Sequence, residues 1–297
     1  IKTYNMRKLL VFTALTFAVS AQAQKADTLT SHELQEVIVA GVRAPKNAPF
    51  AVANIKKTEL SNFSKTGREL PFLFAHTPGV FAWGDNGLGT GTTAMRIRGA
   101  GGSRINITLD GVSLNSPEDQ TVFWANMNSY GALMSSVQIQ RGIGTSTNGD
   151  GAFGGSISLA TATPNQQPSA EVSGSFGTYN TYNTGVKFST GLLGNHFVFD
   201  GAYHETATDG YLHGTAGRSG SYYGGLTYVG NNFQIRYKNI GNFEKTGQAW
   251  SGVVAGNDDA TLMGKDIKTY KDLYKRGLGR FNPLYEGLVF DDNKWTF

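Results

Sequence analysis

The feature that most constrains this chain is an alternation of apolar and polar residues that begins near residue 169. The clearest run, Asn232–Asn239, alternates Phe, Ile and Tyr with Gln, Arg and Lys. A period of two is the signature of strands with one apolar face and one polar face. Runs of the same kind lie at Ala170–Phe176, Thr181–Ser189, Asn195–Glu205 and Ser221–Val229. These runs predict an antiparallel sheet.

A soluble β-sandwich and a transmembrane β-barrel both fit such an alternation. An aromatic content of 12 %, apolar-out spans of suitable length and an export signal favour the barrel. A closed barrel needs about 8 strands, and residues 169–243 hold fewer, so we expect the N-terminal part of a larger barrel. The aromatic residue Phe297 is the one sign of a natural C-terminus. From about residue 244 the alternation stops, which predicts a long extracellular loop.

The N-terminal region reads as an export signal. Residues 1–5 precede Met6, and residues 6–23 combine a basic start, an apolar stretch and the small-residue pattern Ala21-Gln22-Ala23. The apolar stretch is shorter than the roughly 20 residues that a spanning helix needs. We therefore expect cleavage before Gln24 and a polar leader over residues 24–41.

Residues 42–163 are predicted to form an α+β domain, and residues 164–297 the first part of the barrel, joined by a Pro- and Gln-rich hinge at 164–168. Two helices are expected, Thr58–Phe63 and Thr66–Ala75. The second is expected to start with a capping box between Thr66 and Glu69. A helical turn is expected at Ser129–Met134, and strands are expected at Val52–Ile55, Ala94–Arg98, Ile105–Leu109, Val137–Arg141 and Ser156–Ala160.

Nothing in the sequence indicates an enzyme, a metal centre or a cofactor. The chain has no cysteine, and its five histidines lack metal-ligand spacing. Residues 149–154 spell G-x-G-x-x-G, but a strand-like segment follows them, whereas a dinucleotide site needs a helix there. The net charge of +4 comes without a basic run, which argues against nucleic-acid binding.

Five short motifs occur in the order typical of one family. They are Leu34–Gly41, Thr77-Pro78-Gly79-Val80, Ile97-Arg98-Gly99, Leu109-Asp110-Gly111-Val112 and Ile139–Gly142, followed by a glycine-rich end at Gly151–Leu159. On these motifs the chain resembles TonB-dependent outer-membrane receptors, and its segments 142–155 and 244–250 look most like those of Bacteroidota members.

The resemblance implies a plug domain inside a 22-stranded barrel in the outer membrane of a Gram-negative bacterium. It implies import of a scarce nutrient, driven by the proton-motive force through TonB, ExbB and ExbD. A ferric siderophore or other iron complex is the expected cargo, with outer-membrane lipid as the surrounding partner. Haem, cobalamin and oligosaccharides remain alternatives, as does a non-transporting binding protein or adhesin.

Three groups of residues carry these expected roles. The TonB box is assigned to Glu36, Val37, Ile38, Val39 and Ala40, because an extended apolar run can add to a partner's sheet. Substrate contacts at the plug apices are assigned to Trp83, Asp85, Asn86, Asn115, Phe123 and Trp124. A latch between plug and barrel glutamates is assigned to Arg96, Arg98 and Arg141, with Arg96 and Arg98 on one strand face.

Overall fold

A computed structural model of the chain describes residues 43–45, 49, 51–127, 129–144, 152–247, 249 and 294–296. The chain divides into two compact units, and all the described residues belong to the second, Glu36–Phe297. The expected signal peptide and TonB box lie outside the described residues. No helix in the described part of the chain is long and apolar enough to cross a membrane.

The first part of the described chain is an α+β domain. Its helices are α1 (Lys57–Ser64) and α2 (Leu70–Phe74). Its strands are β1 (Ala51–Lys56), β2 (Val80–Gly84), β3 (Thr93–Ile97), β4 (Ile105–Leu109), β5 (Val112–Ser113), β6 (Met134–Arg141) and β7 (Gly155–Thr161). Short 3-10 helices cover Gly102–Arg104, Trp124–Met127 and Tyr130–Ala132. The expected α+β class is confirmed, and most expected strands fall within a few residues of their observed bounds.

Five of these strands form one sheet in the order β1-β6-β7-β4-β5, while β2 and β3 pair as a separate hairpin. The pair β4–β7 is parallel and the other pairs are antiparallel. Every residue of β7 is buried, as a strand covered on both faces requires. The helices pack beside this sheet and close an apolar core that includes Leu60, Phe74, Ile139, Ile157 and Leu159.

Helix α2 is shorter than the sequence predicts. It begins at Leu70 rather than Thr66, because Gly67 has a left-handed φ of 70° that interrupts the helix. The Thr66 hydroxyl donates to the Phe63 carbonyl and accepts from the Arg68 amide. The expected capping box is therefore wrong. Pro71 lies in the first turn of α2, where its missing N–H costs nothing.

The second part of the described chain is a six-stranded antiparallel sheet in the order β13-β12-β11-β10-β9-β8. Its strands are β8 (Ser169–Phe176), β9 (Tyr182–Ser189), β10 (Phe197–Thr208), β11 (Gly217–Val229), β12 (Gln234–Gly247) and β13 (Lys294–Thr296). Consecutive strands pair as neighbours, so the expected antiparallel strands are confirmed. Strand β12 continues to Gly247, past the expected start of the loop near 244, because its pairing with β11 extends to Thr246.

The two faces of this sheet differ in chemistry. Register places Phe199, Leu226 and Tyr237 side by side on one face, and Thr206, Ser219 and Glu244 side by side on the other. The first face is exposed and rich in aromatic side chains; the second is buried and polar. We call the first the outward face and the second the inward face, because the inward face lies against the α+β domain.

The sheet also has two distinct ends. The proximal end is where the chain enters from the α+β domain at 162–168, and it carries the connections 190–196 and 230–233. The distal end carries the connections 177–181 and 209–216 and the chain that follows Gly247. Antiparallel pairing fixes this sorting of connections.

Candidate functional site

The loop between β2 and β3 lies against the distal end of the sheet. The side chain of Asn86 cross-links this loop. Its Nδ2 donates to Thr90 Oγ1 at 2.8 Å, and its Oδ1 accepts from the backbone amides of residues 88 and 89. Gly91 has a left-handed φ of 78°, and a Cβ there would lie 2.6 Å from Thr246 Oγ1 of β12. The loop therefore approaches the sheet more closely than a larger residue would allow.

An aromatic and cationic surface covers the β2–β3 hairpin. The rings of Phe81 and Trp83 stack with centroids 5.7 Å apart, and the Arg96 guanidinium lies 5.6 Å from the Trp83 centroid. Phe81 and Arg96 are exposed, and Asp85 follows β2 in the adjoining turn. Burial raises the pKa of Asp85. The hairpin thus offers flat rings, a cation and a carboxylate on one short element.

Three of the expected substrate residues are occupied by the fold itself. Asn86 is buried, and its side chain makes the hydrogen bonds within the loop described above. Asn115 accepts from the Ile107 amide at 2.8 Å and donates to the Ile105 carbonyl at 2.9 Å, so it extends the edge of β4 like a strand residue. Trp124 is 4 % exposed and meets Phe74 edge to face, with centroids 5.6 Å apart. Trp83, Asp85 and Phe123 remain accessible.

The three expected latch arginines do not share one face. Strand β3 ends at Ile97, and Arg98 adopts a left-handed φ of 52° in the following turn, so it does not align with Arg96. Arg141 donates from Nη1 to the Pro78 carbonyl at 2.7 Å. None of these arginines forms an ion pair within the described residues. Their role as a latch stays a prediction.

The ion pair that joins the α+β domain to the sheet has the opposite polarity. Lys238 of β12 donates from Nζ to Asp110 Oδ2 at 2.6 Å and to Thr161 Oγ1 at 2.8 Å. Burial alone would raise the pKa of Asp110, but hydrogen bonds from Lys238 and Thr161 outweigh it and hold that pKa below its usual range. The domain supplies the carboxylate and the sheet supplies the cation.

A second contact reinforces the same proximal region. Arg236, two residues before Lys238 on the inward face, donates from Nη2 to the Ala162 carbonyl at 2.6 Å and to the Tyr223 hydroxyl at 2.6 Å. Asp200 lies 3.4 Å from the same nitrogen. The polar positions of the alternating run in β12 are the sequence signal for these two cations, but alternation alone does not name their partners.

Two carboxyl groups meet where the domain contacts β12 nearer its distal end. Glu69, at the start of α2, is buried and accepts a hydrogen bond from the Thr93 hydroxyl. Burial raises the pKa of Glu69 well above its usual range, and the nearby carboxyl of Glu244 raises it further, while bonds from Thr93 and the Gly91 amide act in the opposite direction. The surroundings of Glu69 therefore favour its protonated form.

Replacing Glu69 by glutamine tests this protonated state. A raised pKa in the folded protein means that stability is lost as the pH rises from the unfolded value of 4.5 towards the folded value. We expect Glu69→Gln to remove that loss, so the variant has a higher Tm than the parent at neutral and alkaline pH. The measurement is Tm of the purified protein from pH 4 to 9.

The matched control for Glu69→Gln is Glu59→Gln, which removes a carboxylate from an exposed position of α1. The control should leave the pH profile of Tm unchanged. Parallel profiles for Glu69→Gln and the parent protein would contradict a buried proton at Glu69.

The described residues show no cluster of three or more His, Asp or Glu side chains able to hold a metal ion. Four of the five short motifs, those at 77–80, 97–99, 109–112 and 139–142, fall within the α+β domain. Residues 44–156 match the family described as TonB-dependent Receptor Plug Domain. Residues 44–156 are a plug domain of the TonB-dependent receptor type. The α+β domain is this plug domain, and plug domains of this family belong to receptors rather than to enzymes.

Solved receptors share the fold of the plug domain together with the adjoining strands. FpvA of Pseudomonas aeruginosa, solved with heterologous pyoverdines, has a TM-score of 0.60 at 17 % identity, covering 75 % of this chain and 28 % of FpvA. The ferric yersiniabactin uptake receptor FyuA of Yersinia pestis has a TM-score of 0.54 at 16 % identity, covering 70 % and 33 %. The copper transporter OprC has a TM-score of 0.54 at 13 % identity, covering 69 % and 32 %.

The chain thus spans 28 % to 33 % of the length of these three receptors. At these identities the likeness concerns the fold. A comparison with curated protein sequences finds no match. The antiparallel strands after the plug domain share their fold with strands of these solved receptors.

Proposed function

We propose that this chain provides the plug domain and first wall strands of an importer in the outer membrane of a Gram-negative bacterium. TonB, energised by ExbB and ExbD and the proton-motive force, drives the transport step. The proposed cargo is a ferric siderophore or a similar iron chelate.

The observation that carries the proposal is the contrast between the two faces of the six-stranded sheet. Its inward face binds the plug domain through Lys238, Arg236 and Asn183. Its outward face exposes aromatic and aliphatic side chains such as Phe199, Leu226 and Tyr237. A sheet that is apolar outside and polar inside has the pattern of a β-barrel in lipid. Moving a plug domain that is bound to the inward face of such a barrel requires energy.

The chemistry of the β2–β3 hairpin supports an organic chelate as cargo. The exposed ring of Phe81 and the half-buried ring of Trp83 can stack on a flat ligand, and Arg96 can pair with its negative charge. Copper sites draw on imidazole, thioether or thiolate ligands, and the one such side chain among the described residues of the hairpin, Met95, is buried. FpvA and FyuA are named for ferric siderophores, and OprC is named for copper.

The accessible part of the expected binding set is Trp83, Asp85 and Phe123, which we propose as cargo contacts. Arg96, Arg98 and Arg141 remain proposed partners for acidic groups of the barrel wall. The TonB box at 36–40 remains the proposed coupling segment, because an extended apolar run suits strand addition.

Deletion of residues 36–40 separates coupling from cargo binding. We expect the deletion to abolish uptake of ⁵⁵Fe-siderophore by cells that rely on the complete gene, while whole-cell binding of the same chelate is retained. The reason is that TonB acts on this segment and the cargo binds elsewhere. A panel of ferric siderophores, haem, cobalamin and copper identifies the cargo in the parent strain.

The matched control is deletion of residues 25–29, which shortens the polar leader by the same number of residues and should leave uptake intact. Full uptake after loss of residues 36–40 would overturn energy coupling and favour a binding protein or adhesin. Uptake of copper alone would keep the transporter and replace the proposed cargo.

A further inference from the structure

A charged cluster stands out on the otherwise apolar outward face. Glu205 of β10 receives two hydrogen bonds from Arg218 of β11, from Nε at 2.8 Å and from Nη2 at 2.9 Å. The hydroxyls of Tyr182 and Tyr203 donate to the same carboxylate. Glu205 is enclosed, with 10 % of its side chain exposed, whereas the Arg218 side chain is 61 % exposed. The cluster thus hides its anion and presents its cation.

A second cation lies directly beside Arg218. The register of β11 and β12 pairs Arg218 with Lys245, and both side chains belong to the outward face near the distal end. Lys245 is exposed. Like charges directly opposite on a sheet destabilise it, so this arrangement favours an anion that bridges them. Glu205 neutralises one of the two positive charges, so Glu205, Arg218 and Lys245 together form a net positive patch.

The guanidinium retains donors for such an anion. Arg218 has five N–H donors, and its two bonds to Glu205 use two of them. The two nitrogens engaged are Nε and Nη2, so the remaining donors include those on Nη1. A tetrahedral anion can accept from this nitrogen and from the Lys245 ammonium across the strand pair.

Aromatic side chains surround the patch. The Arg218 guanidinium lies 5.9 Å from the centroid of Phe243 on β12. Tyr182, Tyr203 and Tyr222 are all partly exposed on the same face. Aromatic side chains of this kind mark the level at which a membrane meets water. The cations therefore lie where lipid headgroups would be, and not at the depth of the acyl chains.

We propose that Arg218 and Lys245 bind the phosphate of an outer-leaflet membrane lipid. The occupant is a lipid rather than a free anion, because the apolar face continues from the patch towards the proximal end through Tyr203, Tyr222 and Leu226, where acyl chains can lie. A phosphate monoester carries between about −1.5 and −2 charges, so it can accept hydrogen bonds from both cations of this net positive patch. The inference rests on the proposed outer-membrane placement, with the distal end outside.

The test uses the receptor produced from its complete gene, extracted in detergent and freed of bound lipid. Bisphosphorylated lipid A is titrated and binding is followed by native mass spectrometry. We expect lipid A to bind, lipid A stripped of its phosphates to bind much more weakly, and inorganic phosphate to compete only at far higher concentration. Equal binding of the stripped lipid, or competition by inorganic phosphate at the lipid's own concentration, would overturn the proposal.

Two variants localise the binding. Lys245→Gln should lower the affinity for lipid A about fivefold, the effect of one basic residue at a membrane surface. The double variant Glu205→Gln/Arg218→Gln removes the ion pair without leaving a lone carboxylate, and should lower the affinity by a comparable factor. Lys57→Gln, an equal loss of charge on exposed α1 of the plug domain, is the control and should bind lipid A normally.

Unchanged affinity in Lys245→Gln and in the double variant would refute the site. A failure of the transport proposal can be told apart from a failure of the lipid site, because the receptor with Lys245→Gln should import cargo at the parent rate. A receptor that binds lipid A in this way but imports nothing would keep the lipid site and remove the importer.

Discussion

Replacement of Trp124 by alanine is expected to destabilise the plug domain by about 3–5 kcal/mol, the usual cost of emptying a large aromatic site in a core. Trp124 was a candidate for cargo binding, yet it is 4 % exposed and packs edge to face on Phe74. The 3-10 helix that it begins also contacts β12. The loss of packing at Trp124 therefore also weakens the contact between the plug domain and β12.

The measurement is limited proteolysis of the detergent-extracted receptor, together with binding of the cargo. We expect Trp124→Ala to expose the plug domain to protease. Cargo binding should fall only in proportion to the fraction of plug domain that has become sensitive to protease. The matched control is Trp83→Ala on the exposed hairpin, which should leave protease resistance unchanged. If Trp124→Ala lost binding with a plug domain as resistant as the parent's, the residue would be a cargo contact after all.

The second large effect concerns the contact between Asp110 and Lys238. Lys238→Met keeps the length of the side chain but removes its charge, so Asp110 retains only the bonds from Thr161. Hydrogen bonds to charged groups contribute about 1.5–3 kcal/mol. The two side chains are 27 % and 25 % exposed, which favours the lower half of that range. Hydrogen exchange at the amides of Leu159 and Thr161 should accelerate accordingly.

This contact also predicts a dependence on pH. The pKa of Asp110 is lowered in the folded protein from a reference of 3.8. The stability that the ion pair contributes is therefore present above pH 3.8 and is lost as the pH falls through the lower folded value. Lys238→Met should reduce this acid dependence. The double variant Asp110→Asn/Lys238→Met completes a cycle that isolates the coupling between the two residues. Additive effects of the two single changes would contradict a direct ion pair.

Much of the architecture could be predicted from periodicity. The run from Gln234 to Lys238 alternates without a break, so this part of the strand and its two faces follow from a period of two alone. The strand Ile105–Leu109 was likewise placed at its observed bounds. The expected start of helix α2 is wrong, because Thr66 and Glu69 have the spacing of a capping box but Gly67 between them adopts a left-handed backbone packed against Thr206 of β10.

The candidate site was harder to predict, because its contacts join residues far apart in the chain. Asp110 and Lys238 are separated by 128 positions, and no local pattern relates them. Phe123 and Trp124 are adjacent and chemically alike, yet one is exposed and the other is core. Outside a regular strand or long helix, no periodicity tells such neighbours apart. The same holds for Asn115, whose side chain imitates a strand backbone.

The location of the contacts between the plug domain and the sheet has a consequence for how the protein is built. Every such contact described above involves strands β8–β12 or their connections, all of which emerge in synthesis immediately after the plug domain itself. The plug domain and these strands can therefore meet during folding without waiting for later parts of the chain.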